Sequence, residues 1–140
     1  MLQTFLTEIT NTQKVFLLED KNGIAFSESI FFNLDDGSPV PVFCFWSNFN
    51  DAKNARKINW KNHEVVEICL VTFIEDFLVQ LYNDSLIAGL NFNSEMEGFE
   101  SDPLNLISAI IENVNQQKIQ LEFEYFKNIH DLENQIKKLK

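Results

Sequence analysis

Two histidines, His63 and His130, and two cysteines, Cys44 and Cys69, are the residues best suited to metal binding, proton transfer or nucleophilic attack. Zinc sites depend on ligands close in sequence, because a short segment holds two donors at fixed separation. No His-x3-His, Cys-x2-Cys or His-Glu-x-x-His spacing occurs here. A zinc site from Cys44, Cys69 and one histidine is geometrically conceivable but has no local spacing behind it. Both thiols sit in apolar runs, Val42-Phe43-Cys44-Phe45-Trp46 and Val66-Glu67-Ile68-Cys69-Leu70, and read as buried, reduced core residues. His63, before a strand, and His130, beside Asp131, read as solvated. A serine nucleophile would need a Gly-x-Ser-x-Gly elbow, which is missing. Gly23, Gly37, Gly89 and Gly98 are too scattered to cradle a phosphate.

Carboxylates are the remaining chemical resource. Asp35-Asp36 flank a turn glycine, where turn chemistry accounts for them. Glu75 fits a capping box with Thr72, the hydroxyl bonding the Glu75 amide and the carboxylate reaching back. Glu95, Glu97, Glu100 and Asp102 form an acidic loop that lacks the ligand order of an EF-hand. These patterns point to no catalytic residue, no metal and no cofactor. Trp46 ends an apolar strand and reads as core. Trp60, between polar residues, reads as an exposed contact residue.

The elements that position these groups follow from periodicity. Leu2, Phe5, Leu6 and Ile9 predict a short helix ending near Asn11. Lys14–Glu19 reads as a strand, Asp20-Lys21-Asn22-Gly23 as a type I′ turn, and Ile24–Glu28 as the returning strand. Ile30-Phe31-Phe32 and Val40–Trp46 form a second hairpin about Asp35-Asp36-Gly37. Pro39 and Pro41 put the start of its second strand at an edge or entrance. A helix over 49–57 follows, capped by Ser47 or Asn48, then a strand over 64–70. Next come a helix from Thr72 to Leu81 and a strand over 86–92 with Gly89 at a bulge or close approach. Ser101-Asp102-Pro103 opens the next helix. Beyond it, residues 119–125 alternate like a strand, yet Leu121, Tyr125, Ile129, Leu132, Ile136 and Leu139 form a helical stripe. Without Gly or Pro after Pro103, helix is the favoured reading.

The chain has 140 residues, 11 Lys or Arg against 21 Asp or Glu, and a net charge of −10. Phosphate backbones reward clustered cations, so nucleic acid is not the expected partner. The 45% hydrophobic content suffices for a core, and no apolar stretch is long enough to span a bilayer. The first residues lack the basic and apolar regions of a secretory signal, and with two cysteines the expected location is cytoplasmic. Phe occurs 14 times against two Tyr and two Trp, which reads as AT-rich coding bias and core packing. Residues 118–140 hold five Lys against four Asp or Glu, so the charge lies on the preceding body.

Together these patterns predict an α+β fold. Its body, 1–117, carries one mixed sheet of five or six strands with helices mainly on one face. Residues 118–140 add a helical extension.

Val15–Asp20 with Gly23-Ile24-Ala25 and Ser27-Glu28-Ser29 resembles the opening hairpin of the bacterial family called domain of unknown function 2750 (DUF2750). Phe43-Cys44-Phe45-Trp46 with Phe49 and Ala52 is similar to its strand ending in Trp and its Ala-bearing helix. Thr72–Leu78 and Leu86-Ile87-Ala88-Gly89 are similar to its Leu-Glu-Glu-Phe helix and final strand. The resemblance spans about residues 5–117. Phe16 and Ile24 replace tryptophans frequent in the family, Cys44 replaces a proline, and the insertion around 31–39 is longer. A looser resemblance is to the N-terminal domain of secretion-enhancer proteins of the SseB type. Neither resemblance implies a chemistry.

The function expected is therefore non-enzymatic binding of a basic protein partner, as an immunity protein would bind a toxin. Its footprint would include Trp60, Glu95, Glu97, Glu100 and Asp102. One alternative is a homodimer through the stripe of residues 118–140. The other is a small-molecule sensor or enzyme using carboxylates and Cys69.

Overall fold

The computed structural model describes residues 2–140, arranged as α+β with five helices and seven strands among them. Helix α1 (Leu2–Thr12) buries Phe5, Leu6 and Ile9, the stripe its spacing predicts. Gln13, at φ 56°, turns the chain into β1 (Lys14–Asp20). Successive side chains of a strand point to opposite faces, and both faces of β1 are covered. Val15 and Leu17 enter the larger apolar cluster, while Phe16 and Leu18 enter the smaller one.

The first turn differs from the type I′ expectation. That turn needs positive φ at both central residues; Asp20 pairs with Gly23, so these are Lys21 and Asn22, and neither has it, the positive φ of 130° falling on Gly23. The Asn22 N–H donates to Asp20 Oδ1 at 2.8 Å. The returning strand also splits: β2 (Gly23–Ile24) pairs with β1, whereas β3 (Phe26–Asn33) pairs with β4 (Pro39–Phe45). Ala25 joins the two, donating to Leu18 O at 2.8 Å and accepting from Cys44 N at 3.1 Å.

Strand β5 (Glu64–Cys69) lies beside β1; β6 (Ile87–Leu90) lies parallel to β4, and β7 (Phe99–Ser101) closes that edge. The result is two sheets, β2-β1-β5 and β3-β4-β6-β7, correcting the expectation of one sheet with five or six strands. Phe16 and Trp46 exchange backbone hydrogen bonds of 2.8 Å in each direction, which stitches the sheets together. Pairing of β4 with β6 starts at Val42, so Pro39 and Pro41 lie at the entrance, where missing donors leave that pairing intact.

Helix α2 (Phe49–Ala55) is capped by Asn48, whose Oδ1 accepts from Asp51 N at 2.8 Å. Helix α3 covers 70–83 and contains a π-helical segment, Phe73–Leu78. Its cap is Cys69, not Thr72: Cys69 Sγ accepts from Thr72 N at 3.5 Å, and Thr72 already has helical torsions. The predicted capping box does not form; the cap lies one turn earlier, which frees Glu75 for another task. Asp102 caps α4 (Pro103–Gln116), its Oδ2 accepting from Asn105 N at 2.9 Å with proline in the first turn. The larger cluster draws on α1, α3, α4 and α5 (Ile129–Leu139), and the smaller on α2.

The extension departs from the helical expectation over 119–125. Helix α4 ends at Gln116, Lys118 takes φ 56°, and no helix or strand occurs until Ile129. Glu75, 7% exposed, accepts the backbone N–H groups of Glu124 and Tyr125, each at 3.2 Å. Leu132 and Ile136 are buried in the same cluster as Phe5 and Ile107. The middle of the predicted stripe therefore packs within the chain; Tyr125 and Leu139 are its exposed members.

Candidate functional site

Trp60 does not form part of an exposed face. It is 5% exposed and packs edge-on against Trp46, with ring centroids 5.7 Å apart. Trp60 shares the smaller cluster with Ala52 and Ala55 of α2, so polar neighbours in sequence do not keep the indole in water.

The four predicted acidic residues have different surroundings. Glu95 and Glu97 are exposed, and Glu97 accepts from Asn93 Nδ2 at 3.2 Å. Asp102 is the cap of α4. Glu100 lies in β7 and its side chain is tied into the hairpin: Oε1 accepts from Ser29 Oγ at 2.5 Å and Oε2 from Ile30 N at 2.9 Å. The 93–102 segment is thus part loop and part strand.

The same Ser29 hydroxyl accepts from Phe31 N at 3.0 Å and Phe32 N at 2.9 Å. The β3–β4 register shifts between Glu28 and Asn33, so this network fixes a bulge in the edge strand. Bulges re-aim side chains, and this one carries apolar groups into solvent. Ile30 is 81% exposed and Phe31 71%, with Phe26, Phe32 and Leu34 also exposed. A cleft of about 280 Å³ separates the hairpin from the acidic segment, with Ile30, Phe92 and Met96 along it and Glu28, Glu97 and Glu100 around them. The AT-bias reading of phenylalanine missed this: Phe26, Phe31, Phe32, Phe49 and Phe99 lie outside the core. The available signal was Ile30-Phe31-Phe32 itself, since consecutive apolar residues in an edge strand cannot all face one core.

The catalytic-type residues do not converge. Cys44 is buried in β4 with its side chain in the smaller cluster, where desolvation, aided by the charge of Glu100, pushes its thiol well above the ordinary range. Cys69 is exposed, correcting its core assignment. His63 is also less solvated than predicted: its side chain is 15% exposed, Nε2 lies 3.7 Å from Asp20 Oδ2, and buried Nδ1 has no partner. His130 is exposed. Among the described residues, no three His, Cys, Asp or Glu side chains gather as a metal site. A hollow of about 680 Å³ is lined by Glu19, Asp20, Lys21, Asn22, Asn62 and Glu64, without the apolar side chains typical of small-molecule sites. Among the described residues, no helix is long and apolar enough to cross a membrane.

Comparison with curated proteins and with solved structures finds no match. The similarity to SseB-type proteins is not shown. The family model described as protein of unknown function (DUF2750) matches residues 2–110, leaving the end of α4 and the extension outside it. With more than three quarters of its residues matched, the chain belongs to the DUF2750 family.

Proposed function

We propose that this protein is a non-enzymatic protein-binding module for a basic partner, of the kind an immunity protein provides. The observation that carries the reading is the distribution of charge. No Lys or Arg occurs between Lys21 and Lys53 or between Lys61 and Lys118, while the net charge is −10. The hairpin, the acidic segment and α4 therefore come from stretches of one sign. Such a surface steers a cationic protein toward encounter and repels anionic competitors. Glu95 and Glu97, exposed beside the hairpin, are its acidic contacts; Glu100 and Asp102 act by holding β7, the bulge and α4 in place.

The homodimer alternative retains only Tyr125 and Leu139 as exposed apolar members of its stripe. The sensor or enzyme alternative has exposed Cys69, which lines neither of the hollows described above. Affinity purification of the full chain from its source cells tests the proposal. It should recover a basic protein at low salt that is lost when ionic strength rises about tenfold and shrinks the Debye length from about 10 to about 3 Å. Recovery of no basic protein, or of one held equally well at both salts, would contradict it.

A further inference from the structure

Resting on that basic-partner reading, we propose that the bulged hairpin over 26–34 is the docking surface, and that it takes a partner segment carrying both apolar and cationic side chains. Two apolar side chains at 81% and 71% exposure, Ile30 and Phe31, are not a by-product of a loose loop. The Ser29 hydroxyl and the Glu100 carboxylate together occupy the N–H groups of residues 30, 31 and 32, and Ser29 is itself 7% exposed. A buried serine and a part-buried carboxylate are thus committed to holding apolar groups in water. Preorganisation of this kind lowers the conformational loss on binding, and exposed apolar ridges mark contact surfaces.

The same hydrogen bonds decide the mode of contact. Strand addition to a sheet edge needs free N–H donors along that edge, and over residues 30–32 the donors are already used. Recognition there proceeds through side chains: apolar groups of the partner on Ile30 and Phe31, and its cations near Glu28, Glu97 and the nearby Asp35 and Asp36.

Charge also decides the occupant. A two-fold contact brings the same patch of each copy together. Here it would set Glu28, Asp35, Asp36, Glu95 and Glu97 against themselves, with no cation between Lys21 and Lys53 to offset them. A different, cationic protein fits the face without that repulsion.

The probe is a synthetic amphipathic peptide of Lys and Leu, with a Ser-for-Lys analogue, titrated into the ¹⁵N-labelled full chain. Amide perturbations should centre on 26–34 and 93–100, and the analogue should bind more weakly. Ile30→Ser with Phe31→Ser should weaken peptide binding about tenfold or more, as loss of anchoring residues does, with the thermal midpoint kept. Glu95→Gln with Glu97→Gln, on exposed residues, should flatten the salt dependence and leave the fold intact. Perturbations centred elsewhere would overturn the docking surface while leaving the basic-partner reading standing, as would full affinity in the folded Ile30/Phe31 variant. No binding of the peptide would also overturn it, whereas the broader reading falls only if partner capture fails too. Concentration-dependent sedimentation abolished by Ile30→Ser and Phe31→Ser would replace it with self-association.

Discussion

Cys44 and Cys69 show how one residue type acquires two chemistries from its surroundings. Cys44 has no exposed surface, and Gly89 packs so close that an added Cβ would lie 3.2 Å from its sulfur and 2.7 Å from Val42 Cγ1. Burial disfavours the thiolate, which is the reactive form. Cys69 caps α3 from the surface. Labelling of the native protein with a thiol alkylator should therefore proceed in two phases, Cys69 fast and Cys44 only as the fold opens. Equal rates would contradict the burial assigned to Cys44. Sequence placed both in strands and read both as core, which holds for Cys44 and fails for Cys69. The last position of an edge strand, where Cys69 stands, has the same neighbours in sequence as a core position.

At the scale of elements, Glu75 links the matched domain to its extension. Its carboxylate holds the N–H groups of Glu124 and Tyr125, 49 and 50 residues away, so it fixes a segment without regular structure. Glu75→Ala leaves those donors without their partner and should lower stability by about 1–3 kcal/mol. Hydrogen exchange should accelerate first at Glu124 and Tyr125; unchanged exchange there would sink the tether. Helices α1, α2 and α4 and most strands were legible because their apolar spacing and caps are local. The split at Ala25, the Cys69 cap and the path over 118–128 were not. The first and the last depend on partners distant in sequence, Cys44 for Ala25 and Glu75 for the extension; the Cys69 cap is local, to Thr72 N, but a thiol is outside the oxygen-bearing residues that signal a cap. The stripe from Leu121 to Leu139 was read with a helical period, yet only the part from Ile129 is helix, and there it did pick out Leu132 and Ile136 as buried.

The molecule as a whole couples an acidic surface to a small apolar ridge. Net charge and the cation-free stretches were visible in the sequence, as were Glu95 and Glu97 beside the candidate face. The ridge was visible only in part: Ile30-Phe31-Phe32 cannot all face one core, but which of them stand in solvent depends on the bulge and the Ser29–Glu100 network. Trp60 failed in the opposite sense, being taken for surface from its polar neighbours and found packed edge-on against Trp46. Burying Ile30 and Phe31 against a partner is worth about 1.5–3 kcal/mol each, enough to convert steered encounter into a lasting complex. The most direct measurement is the affinity of the captured basic partner for the full chain and for its Ile30→Ser, Phe31→Ser variant across a salt series. Affinity should fall steadily with salt for both proteins, with the variant weaker by about tenfold or more throughout. Affinity independent of salt, or equal for the two proteins, would contradict the account.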